Sequence, residues 1–395
     1  LPLKLVAVNL PNWAESYGIK NQLLVPKEAI HEERTQSNHH YSEVDWWLAS
    51  FLLLECWHER LWESQHGPIH SYSFRLDHWD ERVWEHAWVN RIALFLRQWA
   101  IEIGGKTVHM KLGTLPTAEI QMTHDVDAIH KTLPIRFKQA AFNLFNAARA
   151  CRQGNISEVT FRIIKAFHFL FSCDNWWVFD RLIADEQSAN VDATWHFYAN
   201  HRIKTHKLWL LNPGYDINSP AMKHLLKRIN QTGHKIGLHP GFETWKSSFL
   251  IKLARDQLQN AAGCSVLHCR QHWLRFSWQD TWEAQSKALL REDTTLMFND
   301  KPGFRTSCAV NWRPWNPNTQ KVHNINAMPT VFMDSHFYDY QAMKALKRKE
   351  AIQHWLSECI AVHGQIAVLW HPHTLGSDYG WSKGFYEVLD FIKRK

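Results

Sequence analysis

From about residue 116 onward, short β-like runs alternate with helical stretches, and this alternation constrains the fold of the 395-residue chain more than any other feature. The runs are EIQMT, DATWHFYA, KIGL, SVLH, TLMF, TVFMD and QIAVLW, spaced by helical stretches such as MKHLLKRIN and FLIKLARDQLQNAAG. Strands that alternate with helices favour a parallel sheet. Several runs also end in polar side chains: HDVD after EIQMT, HPGFE after KIGL, CRQH after SVLH, ND after TLMF and HPH after QIAVLW. Parallel α/β sheets place their chemistry at the carboxyl ends of strands, so polar groups at successive strand ends point to a barrel with one convergent pocket. The pattern is that of an enzyme.

The first part of the chain reads differently. Residues 43–62, EVDWWLASFLLLECWHERLW, predict one amphipathic helix with Trp47, Phe51, Leu54 and Trp57 on one face. A second helix is expected through VWEHAWVNRIALFLRQWAIEI, and the turn-rich GGKTVHMKLGTLPTAE reads as a linker. These features divide the chain into a smaller N-terminal unit, 1–115, and a larger unit, 116–395. Within 132–187 the basic-aromatic stretch FRIIKAFHFLFSCDNWWVFDRLI fits a helix packed on the barrel, the commoner arrangement, or an element lying on a membrane surface.

Composition narrows the function classes. A hydrophobic fraction of 45% with 21% charged residues is that of a folded globular protein. The formal charge of +7 attracts polyanions weakly, but the basic residues are spread along the chain without an arginine-rich arm or a nucleic-acid motif, so no nucleic-acid partner is expected. The seven cysteines form no CxxC pair and are odd in number, which suits a reducing compartment better than a disulfide framework. A cytoplasmic or membrane-peripheral location is the expectation. The 22 tryptophans suit core packing above all, and secondarily the faces of sugar rings.

The densest chemistry lies in QMTHDVDAIH, residues 121–130. Asp125 and Asp127 are separated only by Val126, and neighbouring carboxylates repel unless a cation, a shared proton or solvent intervenes. In a strand, positions two apart face the same side, so both could reach one ion and its water. A metal site and a solvated turn are both compatible with the spacing.

Taken with GHKIGLHPGFE (233–243), RQHWLRF (270–276) and LWHPH (369–373), HDVD at 124–127 resembles, in order, the motifs of the polysaccharide deacetylase, or NodB-homology, family of metal-dependent carbohydrate N-deacetylases. The resemblance covers about residues 116–395. It implies a distorted (β/α) barrel, with residues 1–115 as a smaller N-terminal α/β domain, an extension similar to that of a divergent bacterial branch associated with surface polysaccharide assembly. It implies Asp125 as catalytic base and Asp127 as ligand of a divalent ion, zinc first. His239 of GHKIGLH would be the first imidazole ligand. The family's second histidine position holds Glu243, so the third ligand is either Glu243 or His272 from the next strand. Arg270 of RQH would pair with the catalytic aspartate, although the family's R-x-P proline is absent. His371 of LWH would be the general acid, with Pro372 where the family has aspartate and with His373 as local competitor.

The implied substrate is an N-acetylated sugar or glycan lying against Trp273, Trp278 or Trp370. The departures at Glu243, His272 and Pro372 motivate the competing expectation, a catalytically inactive glycan-binding or scaffold protein. Peripheral membrane contact and the oligomeric state stay open from the sequence.

Overall fold

The computed structural model describes residues 2–31, 39–152, 154–199 and 211–394. Near the N-terminus, β1 (Leu5–Asn9) pairs antiparallel with β2 (Gln22–Pro26) and parallel with β3 (His39–His40). Helices α1 (Trp46–Leu54), α2 (Trp57–His66) and α3 (Trp88–Leu112) accompany this sheet. Val8, Leu23, Val25, Ala49, Ile92 and Phe95 form the centre of its own apolar cluster.

The expected single helix over 43–62 is broken, because Cys56 adopts a left-handed backbone (φ 43°) between α1 and α2. The face expected to be apolar and covered is also the wrong one: Trp47 is 81% exposed, whereas Trp46, Ala49, Leu52 and Leu53 are buried. On α2 the buried side chains are His58, Glu59 and Glu63. Hydrophobic periodicity cannot find a buried face made of charge. The helix α3 also continues through part of the expected linker, with a break at Gly105 (φ 60°).

The remaining chain builds one parallel sheet. It runs β4 (Glu119–Val126), β5 (Thr194–Phe197), β6 (Lys235–Leu238), β7 (His268–Cys269) and β8 (Glu292–Asp293) in one direction from β4. A small antiparallel pair, β9 (Trp315–Asn316) and β10 (Lys321–Val322), lies outside it. Then β11 (Asn326–Ala327) pairs with β8, β12 (Thr330–Met333) pairs with β13 (Gln365–Leu369), and β13 pairs with β4. Only Met328 and Pro329 separate β11 from β12, so the two ends of the strand order meet in one segment of chain. That segment changes partner where proline offers no N–H: Met328 donates to the Asp293 carbonyl, and the Pro329 carbonyl accepts from Ala367. The sheet is thereby curled into a barrel, as the alternation of strands and helices predicts. One expected strand is displaced, since TLMF (295–298) falls just beyond β8.

Crossover helices cover the outside: α6 (Phe179–Ser188), α7 (Pro220–Gln231), α8 (Ser248–Ala262), α9 (Thr281–Lys287), α10 (Ala345–Ala361) and α11 (Ser382–Lys393). Between β4 and α6 the chain inserts a helical hairpin, α4 (Leu133–Arg152) and α5 (Ile156–Phe171).

The N-terminal layer is fastened to the barrel by buried charge. Glu59 pairs with Arg305 and accepts from Trp278 Nε1 at 2.8 Å; the two charged residues are 1% and 2% exposed. Glu63 accepts from Ser277 Oγ (2.5 Å) and the Trp278 amide (3.1 Å), and Arg91 forms a two-point pair with Glu358 of α10 (2.8 and 2.6 Å). Removing one member of such a pair strands the other in the interior. Arg305→Met is therefore expected to lower unfolding stability by about 3–5 kcal/mol in a denaturant titration. A loss under about 1 kcal/mol would mean that Glu59 is relieved by water.

Candidate metal centre

Alternation along β4 sorts the three ionisable groups of HDVD. His124 points away from the barrel axis, where its Nδ1 donates to the Trp370 carbonyl (2.7 Å) and its Nε2 meets Glu186 of α6 (2.6 Å), with all three buried. It is a packing residue. Asp125 points inward with Thr123, and Asp127 follows immediately after the strand. The two carboxylates share the side that the strand period assigns to them.

At Asp127 the strand ends converge. Its Oδ1 lies 3.3 Å from His239 Nε2 and 3.4 Å from His272 Nδ1, and the two imidazole nitrogens are 2.9 Å apart. The outer nitrogen of each ring faces a backbone carbonyl at 2.7 Å, His239 Nδ1 that of Arg270 and His272 Nε2 that of Leu211. A carbonyl only accepts, so each outer nitrogen carries the proton, and in the neutral rings both inner nitrogens present lone pairs. Two lone pairs and a carboxylate oxygen then face one another across about 3 Å, an arrangement that needs positive charge between them. Asp127 Oδ1 is moreover buried without a hydrogen-bond partner. The triangle's edges of 2.9, 3.3 and 3.4 Å bracket the ~3.3 Å between ligand atoms of a tetrahedral site with bonds of ~2.0 Å. Asp127, His239 and His272 therefore fit a divalent ion, and the outer hydrogen bonds fix both rings for it. Burial would push the Asp127 carboxyl up, but when the facing imidazoles are protonated instead, their charge outweighs it and holds the group well below the usual range, so the site is completed by positive charge in either case.

Glu243 is exposed, outside this cluster, and its charge acts on Arg275. Residues four apart share a face in a helix, and the chain after β6 turns without forming one. His272 is brought in by the tight turn past β7, where Trp273 (φ 57°) and Leu274 (φ 49°) both take left-handed backbone.

Beside the trio, Asp125 is 2% exposed. Burial would raise its carboxyl, but Arg270 at 3.1 Å, then His239 (3.8 Å) and His196 (3.2 Å), hold it far below the usual range. Arg270 is fully buried and also donates to Thr123 Oγ1 (2.7 Å), the Thr294 carbonyl (3.0 Å) and Thr330 Oγ1 (3.0 Å). His196 of β5 was not singled out in the sequence; an inward histidine inside the apolar run DATWHFYA was the available signal. Burial pushes its ring down to about 3, so it is neutral beside Asp125. Gly237 on β6 lies opposite it, and a Cβ there would come within 2.5 Å of the ring, so GHKIGLH needs glycine for His196 to fit.

On the other side of Asp127, His371 Nε2 lies 3.7 Å from its Oδ2. Burial would lower the His371 ring, but Asp334 at 2.8 Å from Nδ1 outweighs this and raises it to about 9. Asp334 also accepts from the His371 amide and from Thr374 Oγ1, each at 2.9 Å. This acidic partner, missing at Pro372, comes instead from Asp334, the residue that follows β12. It was legible as the last letter of TVFMD, under the rule that picked out the other strand ends. His373 stacks on Trp176 (5.4 Å), and burial lowers it to about 4.

The three tryptophans part company. Trp273 is half-buried beside His272, with its Nε1 donating to the Leu211 carbonyl (3.2 Å) and Lys138 Nζ 4.9 Å from its ring. Trp278 (3% exposed) sits in the seam with α2 and Trp370 (1%) packs against Phe385 outside the barrel, so neither offers a face to a sugar.

Fold and site together define an α/β barrel with an Asp-His-His trio that could hold a metal ion, between a buried Asp-Arg pair and an Asp-His pair. No family model matches the chain, and no curated protein matches it in sequence. Among solved structures it is similar to a protein from Mycobacterium smegmatis assigned as a polysaccharide deacetylase: 16% identity, 71% of this chain and 85% of that one, TM-score 0.41. It is also similar to the Bc1960 peptidoglycan N-acetylglucosamine deacetylase, at 12% identity, 71% and 85% coverage and TM-score 0.35. BA3943, a CE4 family pseudoenzyme from Bacillus anthracis, matches at 9% identity, 71% and 62% coverage and TM-score 0.33. These are likenesses in the course of the chain; the chemistry is read from the site itself.

The ligand assignment has a direct test. In a zinc titration read by chelator competition, His272→Ala is expected to weaken binding by more than the roughly 10–100-fold that loss of an outer-shell partner costs. Glu243→Gln should leave the affinity unchanged. The reverse order would return the third ligand to Glu243.

Proposed function

We propose that the chain is a metal-dependent hydrolase that removes an N-acetyl, or similar acyl, group from a sugar of a bacterial surface polysaccharide or its precursor. The observation that carries this reading is the position of Asp127, His239 and His272 between an ionised Asp125 and an Asp334-paired His371. Of the first-row ions, zinc best suits two imidazoles and one carboxylate. When bound, a divalent ion would polarise the amide carbonyl and bring the pKa of a bound water toward ~7.

The chain's own groups supply the remaining needs of amide hydrolysis. Asp125, held ionised and oriented by Arg270, accepts the proton of the attacking water. A carboxylate so strongly stabilised is a weak base toward ordinary water, so it serves only where the water is already acidified. His371 stays protonated at neutral pH because of Asp334, and so can deliver a proton to the departing nitrogen from the opposite side. Arg270 is a positioning residue that also stitches the barrel. Trp273 is the aromatic ring available to the sugar face.

Two contacts support the hydrolase over the inactive glycan-binding protein: His272 beside Asp127 would replace the missing histidine, and Asp334 beside His371 the missing acidic partner. The test is acetate release from N-acetylhexosamine oligomers by the zinc-loaded protein. Asp125→Asn should lower kcat by roughly 10²–10⁴-fold. Full activity of that variant would remove Asp125 as base, and absence of acetate release from the loaded wild type would favour the binding module. Asp334→Asn is expected to lower kcat by about 10²-fold with KM nearly unchanged, as loss of the acid's partner requires. A change confined to KM would assign Asp334 to substrate binding.

A further inference from the structure

The helical hairpin between β4 and α6 is built inside out. The side chains that α4 buries are Ala140, Asn143, Ala147 and Ala150, and α5 buries Arg162, Ala166 and Phe169. Apart from Phe169, which clusters with Ala128 and Trp176, the buried groups are small or polar, and Arg162 approaches Asn143 at 3.5 Å and also pairs with Glu158. The large apolar side chains point out. Phe137 is 66% exposed, Phe145 68%, Ile156 79%, Ile164 63%, Phe167 57% and Phe171 74%. Of the 27 exposed large apolar side chains among the described residues, 11 lie between 133 and 171. Positions 156, 164, 167 and 171 follow the helical repeat, so α5 presents one continuous apolar stripe to the outside. An apolar patch of this extent, left uncovered on a water-soluble fold, marks an interaction surface.

Charge identifies what covers it. Residues 131–171 contain seven lysines and arginines and a single acidic residue, Glu158, a net +6 against +7 for the whole chain, although Lys131 is buried and paired with Asp378. Basic residues are spread along the sequence, but it is the near absence of acids here that concentrates the excess. Lys138, Arg149 and Arg152 are exposed along α4. We propose that the α4–α5 hairpin docks on the surface of an anionic lipid bilayer, with its phenylalanines and isoleucines at the headgroup boundary and its basic side chains among the lipid phosphates. At 20 and 16 residues the helices are about 30 and 24 Å long, enough to lie along the interface. Among the described residues no helix is long and apolar enough to cross a membrane. A second copy of the chain is the poorer occupant, because stacking two such hairpins would oppose two surfaces that each carry the exposed Lys138, Arg149 and Arg152. The start of α4 borders the metal trio, since Lys138 lies over Trp273 next to His272, so docking brings the mouth of the site to the bilayer side.

The proposal is independent of the hydrolytic reading, because vesicle binding is measured without metal or substrate. The full chain would be floated with vesicles of phosphatidylcholine alone and with roughly three-tenths phosphatidylglycerol. Binding at least about ten-fold stronger to the anionic vesicles, weakened by raised salt, is expected. The surface variant Phe145→Ser with Ile164→Ser and Phe167→Ser should lose binding while keeping the wild-type circular dichroism spectrum. Arg149→Glu with Arg152→Glu should lose the preference for anionic lipid. Failure of the wild type to bind anionic vesicles would overturn the proposal. So would a dimer in sedimentation velocity that the triple-serine variant abolishes, if vesicle binding is unaffected by that variant.

Discussion

The barrel and its site both depend on where the Arg270 guanidinium is held. Four wall segments meet it: β4 through Thr123 and Asp125, β7 from which it springs, the residues after β8 through the Thr294 carbonyl, and β12 through Thr330. Thr123 and Thr330 pass the network on, donating to the Val368 and Thr294 carbonyls. An arginine cannot shed its proton to escape burial, so a fully covered guanidinium obliges the strands around it to supply acceptors. The same group that closes the barrel's interior keeps Asp125 ionised, and its carbonyl fixes the His239 ring. Structure and chemistry are coupled through one residue.

That coupling explains which parts could be read from the sequence. The period of the runs gave the parallel sheet, and the polar strand ends located the clusters in which the motif resemblance picked out Asp125, Asp127, His239 and Arg270, because strands impose side-chain direction. Beyond a strand end that rule lapses. Spacing could not choose between Glu243 and His272, since the choice rests on a left-handed turn at Trp273 and Leu274 that their residue types do not advertise. Nor could proximity in sequence find Asp334, which reaches His371 from a neighbouring strand. Tryptophan positions misled for another reason: an indole suits a sugar face and a core equally, and only burial separates Trp273 from Trp278 and Trp370.

The N-terminal layer was the least legible, and its α2 shows why. A buried carboxylate looks like a solvated one in any hydrophobic pattern. Glu59 and Glu63 are instead directed into the seam, where Arg305, Trp278 and Ser277 receive them. The break at Cys56 places them there, with its thiol donating to the Arg305 carbonyl at 3.2 Å. Because an unpartnered buried charge costs several kcal/mol, roughly 3–5, such a seam tolerates little sliding and sets the position of the layer on the barrel.

Asp125 and Asp127 show the same logic at the smallest scale. They are identical side chains, two positions apart, both with carboxyls held low, yet their surroundings differ in a way that supports the different work proposed for each. Asp125 has its charge answered by a guanidinium that cannot leave, so its free oxygen is available for a proton in transit. Asp127 faces two imidazoles whose outer nitrogens are committed to carbonyls, and its Oδ1 finds no donor. One carboxylate is complete within the protein and the other is not. On the proposed reading, the crowding in HDVD is a division of roles: the satisfied aspartate would react, and the unsatisfied one would bind the cation that the sequence alone left as one of two possibilities.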